Sequence, residues 1–166
     1  MVSCVFPGSF DPVTKGHLDL ISRASGLFDH VTVTVMVNIS KAGAIPFEKR
    51  IELLRKACAA FPNVTVDSWE GLLADYMKEH DERIVIRGIR SGMELEAELE
   101  SSAANKMLNE KIETVFLPSD PRYACISSSA VREIAAFGGN IDAFVPEMIT
   151  EEIRILLSKK KKVNHK

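Results

Sequence analysis

The 166-residue chain contains three cysteines and one tryptophan, and only 7% of its residues are aromatic. Cys4, Cys58 and Cys125 are odd in number and far apart, so they form neither a disulfide framework nor a zinc spacing. Cys4 and Cys58 fall on apolar faces and read as buried free thiols. No His, Cys, Asp and Glu cluster has metal-ligand spacing, so no protein-held metal is expected. Net charge is also nearly absent. At −2 it gives no general attraction to nucleic acid or to an acidic membrane surface. No apolar run is long enough to span a bilayer. The short opening run has no basic flank, which argues against a secretory leader and for a cytoplasmic protein. Both GxGxxG and GxxxxGK[ST] are missing, so neither a dinucleotide fingerprint nor a Walker loop is available to hold phosphate.

What is present is an ordinary globular composition, 46% apolar and 27% charged, at a length suited to one domain. Apolar strands alternate with helical patterns. An apolar run from Val2 to Phe6 breaks on Pro7-Gly8 and Asp11-Pro12 before helical spacing begins at Leu18. The alternating stretch Val31 to Val37 has two covered faces, as in a parallel strand. A helix follows over Phe47 to Phe61, then a short strand Val64–Val66, a helical face at Leu72 to Met77 and a strand Arg83–Ile86. Met93 to Leu108 is a longer, more polar helix. A strand Thr114–Leu117 and helices over about Ser129–Phe137 and Thr150–Ser158 complete the order. This predicts an α/β fold: one Rossmann-like domain over residues 1–158, with a five-stranded parallel sheet and helices on both faces. Residues 159–166, with Lys159–Lys162, read as a disordered basic tail. In such sheets ligands sit beyond the carboxyl ends of the strands, which is where Ser9, Lys41, Arg87 and Ser128 are expected to gather.

Three stretches carry chemistry. In Val5 to His17, Gly8 admits a ligand to the backbone, and the helix start offers free N–H groups to a phosphate, with an imidazole beside them. A capping role for that histidine is the plain alternative. Arg87-Gly88-Ile89-Arg90 sets two permanent cations about a glycine that lets the chain bend toward one anion, and surface ion pairs are the plain alternative. Ser127, Ser128 and Ser129 offer hydroxyls at a helix start, where capping needs only one. Glu94, Glu96, Glu98 and Glu100 read mostly as a solvated acidic face. His30, His80 and His165 lie outside every motif.

Thr14-x-Gly16-His17 behind Pro7-Gly8-Ser9-Phe10-Asp11-Pro12 resembles the T/HxGH signature of the nucleotidyltransferase superfamily. With RGxR at Arg87–Arg90 and ISSSxVR at Ile126–Arg132, the chain is similar to the phosphopantetheine adenylyltransferases from Val5 to about Leu156. That resemblance implies adenylyl transfer from ATP to 4′-phosphopantetheine, giving dephospho-coenzyme A and pyrophosphate. It implies His17, Lys41 and Arg90 as catalytic residues. It places Ser9, Phe10, His17, Gly88, Ile89, Arg90, Glu98, Tyr123, Ala124, Cys125, Ile126, Ser127, Ser128 and Ser129 on ATP, and Ser9, Lys41, Leu73 and Arg87 on the acceptor. Mg²⁺ carried by ATP, a homohexamer and feedback binding of coenzyme A are further implications. Ser9 stands where the family usually has Thr, Lys15 replaces the usual Asn, and Leu95 and Ala97 flank Glu98 where aromatic residues are usual. Another adenylyl- or cytidylyltransferase of the superfamily, or a non-catalytic nucleotide-binding module, is the alternative.

Overall fold

The computed structural model describes residues 1–37 and 43–158. Lys41 and the tail Lys159–Lys162 lie outside the described residues. Five parallel strands form a single sheet: β1 (Ser3–Gly8), β2 (His30–Met36), β3 (Val64–Trp69), β4 (Ile84–Ile89) and β5 (Glu113–Pro118), in the order β3-β2-β1-β4-β5. Among the described residues six α-helices connect or follow them: α1 (Lys15–Leu27), α2 (Phe47–Cys58), α3 (Leu73–Glu79), α4 (Gly92–Leu108), α5 (Ser128–Ala136) and α6 (Thr150–Ser158). Strand alternation divides the core. Cys4, Phe6, Val31, Val33, Val35 and Ile86 pack with α1, α2, α5 and α6. Val5 and Val85 face the other way, onto Ala74, Tyr76 and Met77 of α3 and onto Ile112. Cys4 and Cys58 are buried as expected, and burial pushes each thiol up to about 12.

Two strands run further than their composition predicts. β4 continues through Arg87, Gly88 and Ile89, which pair with Phe116, Leu117 and Pro118 of β5. Only Arg90 of the RGxR stretch stands beyond the strand. Gly88 therefore does not bend the chain. A Cβ there would lie 2.2 Å from Leu20 Cδ1, so the glycine admits α1 against the sheet. β1 likewise continues through Pro7-Gly8. Pro7 has no N–H to offer β4, and β1 registers with β4 only at Val5–Val85. Beyond that pair, Arg87 Nη1 donates to the Pro7 carbonyl at 2.8 Å. The sheet thus opens between β1 and β4, where the strand order reverses and a ligand crevice is expected.

Candidate active site

The turn after β1 is a tightly determined piece of backbone. Phe10 is buried at a left-handed φ of +43°, which bulky residues seldom adopt. Its ring meets Phe6 edge-on at 5.9 Å and His17 at 5.1 Å between centroids. A Cβ on Gly8 would lie 3.0 Å from that ring. Gly8 thus leaves room for the Phe10 ring as well as for a ligand. Buried Asp11 ties the turn to distant chain: Oδ2 accepts the Ala44 N–H and Oδ1 the Ile45 N–H, both at 2.8 Å. Arg132 Nη1 donates to the Asp11 carbonyl at 2.6 Å, and Ser128 Oγ to the Pro12 carbonyl at 2.7 Å. Arg50, buried on α2, donates from Nη1 to the Ser9 carbonyl at 2.9 Å.

His17 does cap the helix, and the cap defines its chemistry. Thr14 Oγ1 accepts the His17 N–H at 3.3 Å, while His17 Nδ1 accepts the Thr14 N–H at 3.1 Å. An Nδ1 that accepts leaves the ring proton on Nε2, a donor free for the cavity. Burial, then the charges of Arg90 and Arg87, lower its pKa from the ordinary 6.5 to about 4. The ring is therefore a neutral donor at physiological pH. The same shift links stability to pH. Between about 4 and 6.5 the unfolded chain binds a proton that the folded one refuses. The contribution is whole above 6.5 and is lost as the pH falls toward 4. The melting-temperature advantage of wild type over His17→Gln should shrink across that window and stay level above it, measured by thermal denaturation at stepped pH.

Two cavities meet at this turn. One, of about 290 Å³, is lined by Ser9, Phe10, Gly16, His17, Arg87, Gly88, Arg90, Glu94, Glu98, Tyr123 and Ile126 among others. The other, of about 570 Å³, is more apolar and includes Met36, Val37, Glu70, Gly71, Leu72, Leu73, Ser102 and Asn105. Pro7, Gly8, Ser9, Arg87 and Glu98 border both. Arg87 stands at the junction, its Nε 2.7 Å and Nη2 2.5 Å from the Glu98 carboxylate. Arg90 pairs with Glu94, with Nε at 3.1 Å, and donates from Nη1 to the Ile126 carbonyl at 2.8 Å. The ion pairs of the plain alternative are thus present, and so is the cavity. Each guanidinium has five N–H donors. Among the described residues three are engaged on each arginine, which leaves two for an anion. Glu94 and Glu98 are accordingly not a solvated face. Each is half-buried against its arginine, while Glu96 and Glu100 are exposed.

The serine triplet departs most from expectation. Ser127 caps α5, its side chain accepting the Ala130 N–H at 3.1 Å. Ser128 holds Pro12, and Ser129 Oγ accepts from Arg132 at 3.1 Å. All three hydroxyls are engaged within the protein, and none of them lines either cavity; neither do Ile89, Ala124 and Cys125. Ser9, Phe10, His17, Arg87, Gly88, Arg90, Glu98, Tyr123 and Ile126 are brought together around the smaller cavity, and Leu73 lies in the larger.

A cytidylyltransferase-like family profile matches residues 5–134. Phosphopantetheine adenylyltransferases of Dictyoglomus turgidum and Clostridium novyi are 46% and 45% identical to the chain. The first alignment spans 92% of this chain and 96% of its relative, the second 90% and 92%. The chain belongs to the phosphopantetheine adenylyltransferase family. It is thus an enzyme of the nucleotidyltransferase kind, as its three motifs implied. A solved Vibrio parahaemolyticus structure, assigned as a nicotinate-nucleotide adenylyltransferase, has the same fold. It superposes with a TM-score of 0.69 over 98% of both chains at 16% identity.

Sequence reasoning gave no role to Asp11, Arg50 or Arg132, although all three fix the turn that carries Ser9 and His17. Buried charge was the available signal. Arg50 lies among the core positions of α2, where an unpaired guanidinium would be costly.

Proposed function

We propose that the enzyme transfers the adenylyl group of ATP to 4′-phosphopantetheine, giving dephospho-coenzyme A and pyrophosphate in coenzyme A synthesis. The observation that carries this reading is the neutral His17 donor fixed at the start of α1, in a cavity that also holds Arg87 and Arg90. The acceptor is already a phosphate anion and needs no base. One of its oxygens attacks the α-phosphorus, a new P–O bond forms, and the bond to the β-phosphate oxygen breaks to release pyrophosphate. Catalysis is then alignment and stabilisation of charge.

In this reading Nε2–H of His17 donates to a non-bridging α-phosphate oxygen as negative charge grows there. Arg90 and Lys41 neutralise the phosphates, Lys41 being assigned on family resemblance alone. Ser9 and Arg87 take the acceptor phosphate at the junction of the two cavities, and the uncharged arm runs into the larger one past Leu73. Phe10, Gly88, Glu98, Tyr123 and Ile126 surround the nucleotide, while Ile89, Ala124 and Cys125, which line neither cavity, are assigned to it on family resemblance alone. Ser127, Ser128 and Ser129 are assigned to the β- and γ-phosphates, and reaching them requires exchange of their internal bonds. Among the described residues no three His, Cys, Asp or Glu gather to bind a metal. Mg²⁺ would come with ATP, held by phosphate and water, and screen the leaving pyrophosphate.

The reading extends to a cytoplasmic homohexamer subject to feedback by coenzyme A. The outer face of α4 supports the assembly: the helix packs on α3, β4 and β5, yet it has no buried residue and exposes Met93, Leu99, Met107 and Leu108. No helix among the described residues is long and apolar enough to cross a membrane.

Pyrophosphate release from ATP tests the reaction, with phosphopantetheine, nicotinamide mononucleotide or glycerol phosphate as acceptor. Rapid release with phosphopantetheine alone is expected. Turnover only with another acceptor would overturn the assignment.

A further inference from the structure

Trp69 is the single tryptophan of the chain and ends β3. It lines neither cavity, yet it holds the turn that walls the larger one. Its indole Nε1–H donates to the Leu72 carbonyl at 3.1 Å. That carbonyl also accepts the Tyr76 N–H at 3.2 Å as α3 begins, and the Leu72 side chain makes no capping bond of its own. Between them Gly71 has φ +155°, a conformation that favours glycine. A Cβ on Gly71 would lie 2.8 Å from the indole nitrogen, so the ring folds directly over the turn. The indole is braced from behind. Its centroid lies 5.5 Å from that of Tyr76 and 6.1 Å from that of His80, which themselves stack at 4.1 Å. Tyr76 Oη in turn donates to Asp67 Oδ2 at 2.9 Å. On the cavity side, the Val37 N–H is bound to the Trp69 carbonyl at 3.2 Å. Glu70, Gly71, Leu72, Leu73 and Val37 all line the larger cavity.

We propose that Trp69 is a positioning residue for the acceptor. Its indole fixes the Glu70–Leu73 turn, and through the turn it sets how closely the wall fits the uncharged arm. The inference rests on the reading that the acceptor's arm occupies the larger cavity. The nucleotide lies on the other side of the Arg87–Glu98 junction, so Trp69 governs one substrate and not the other. Loosening a wall that touches the arm equally in ground and transition states weakens binding without slowing the chemical step.

Steady-state kinetics of two variants tests this. Trp69→Phe keeps an aromatic ring in the brace but loses the N–H. His80→Ala removes part of the brace behind the indole and leaves both cavity linings untouched. Each should raise KM for phosphopantetheine about three- to tenfold, the size of one neutral hydrogen bond, with kcat and the KM for ATP within about twofold of wild type. In wild type the emission of Trp69 should change on saturation with phosphopantetheine and not with ATP. The inference is overturned if both variants keep the wild-type acceptor KM, if both substrates' KM values rise together, or if saturating acceptor leaves the emission unchanged. A wild-type enzyme inactive with phosphopantetheine would instead remove the functional reading, and this inference with it.

Discussion

Replacing His17 with alanine is expected to lower kcat for pyrophosphate release by roughly 10²–10³, about 3–4 kcal/mol of transition-state stabilisation, by analogy with the loss of one oxyanion donor. The KM for ATP should change far less, because the donor matters most when charge builds on the α-phosphate. Its position explains the size of the effect. The ring is locked by Thr14 through Nδ1 and by its edge-type contact with Phe10, so Nε2–H pays no reorganisation when the reaction begins. The substitution also removes the acceptor of the Thr14 N–H, half of a reciprocal cap, and should cost about 1 kcal/mol of stability. Circular dichroism melts must therefore accompany the kinetics. A folded variant with normal turnover would remove His17 from the mechanism.

Asp11→Ala is expected to be the most damaging change outside the cavity linings. It strips the buried Ile45 N–H and the half-buried Ala44 N–H of their shared acceptor. Two amides left unpaired cost roughly 2–6 kcal/mol together, a large share of a typical domain stability of about 5–15 kcal/mol. Activity should fall as well, because the same carboxylate anchors the turn bearing Ser9 and His17. Asp11→Asn retains one acceptor oxygen and should lose about half as much. Urea denaturation of both variants beside wild type checks the ranking. Equal stability of wild type and Asp11→Ala would show that the turn is held by other means.

Much of this arrangement was legible in the residues, because the signals were local. Val31, Val33 and Val35 alternate with threonines and form β2 as read, and Thr150–Ser158 is a helix at the predicted limits. The motif around His17 marked the cavity, since proline, glycine and a helix start occur together there. Pairing across the sheet was not legible. Arg87-Gly88-Ile89 has the composition of a loop, and only β5 alongside makes it strand. Gly88 serves Leu20, 68 positions earlier in the chain, which no reading of its immediate neighbours can reveal. Hydroxyls posed a different difficulty. A serine that caps, one that binds a carbonyl and one that awaits a phosphate are the same letter, and Ser127, Ser128 and Ser129 differ only in what the fold sets beside them. Glu94 and Glu98 sit in a run that reads as a solvated acidic face, whereas each is paired with an arginine from the β4 end.

Catalysis here requires that separate loops enclose a single nucleotide, with the imidazole at the phosphorus that reacts. A crystal structure with a non-hydrolysable ATP analogue tests that most directly. An α-phosphate oxygen should lie about 2.7–3.2 Å from His17 Nε2, with guanidinium N–H groups of Arg90 on the same phosphates. An analogue seated away from the β1–α1 turn, or a His17 ring presenting Nδ1 to it, would contradict the account.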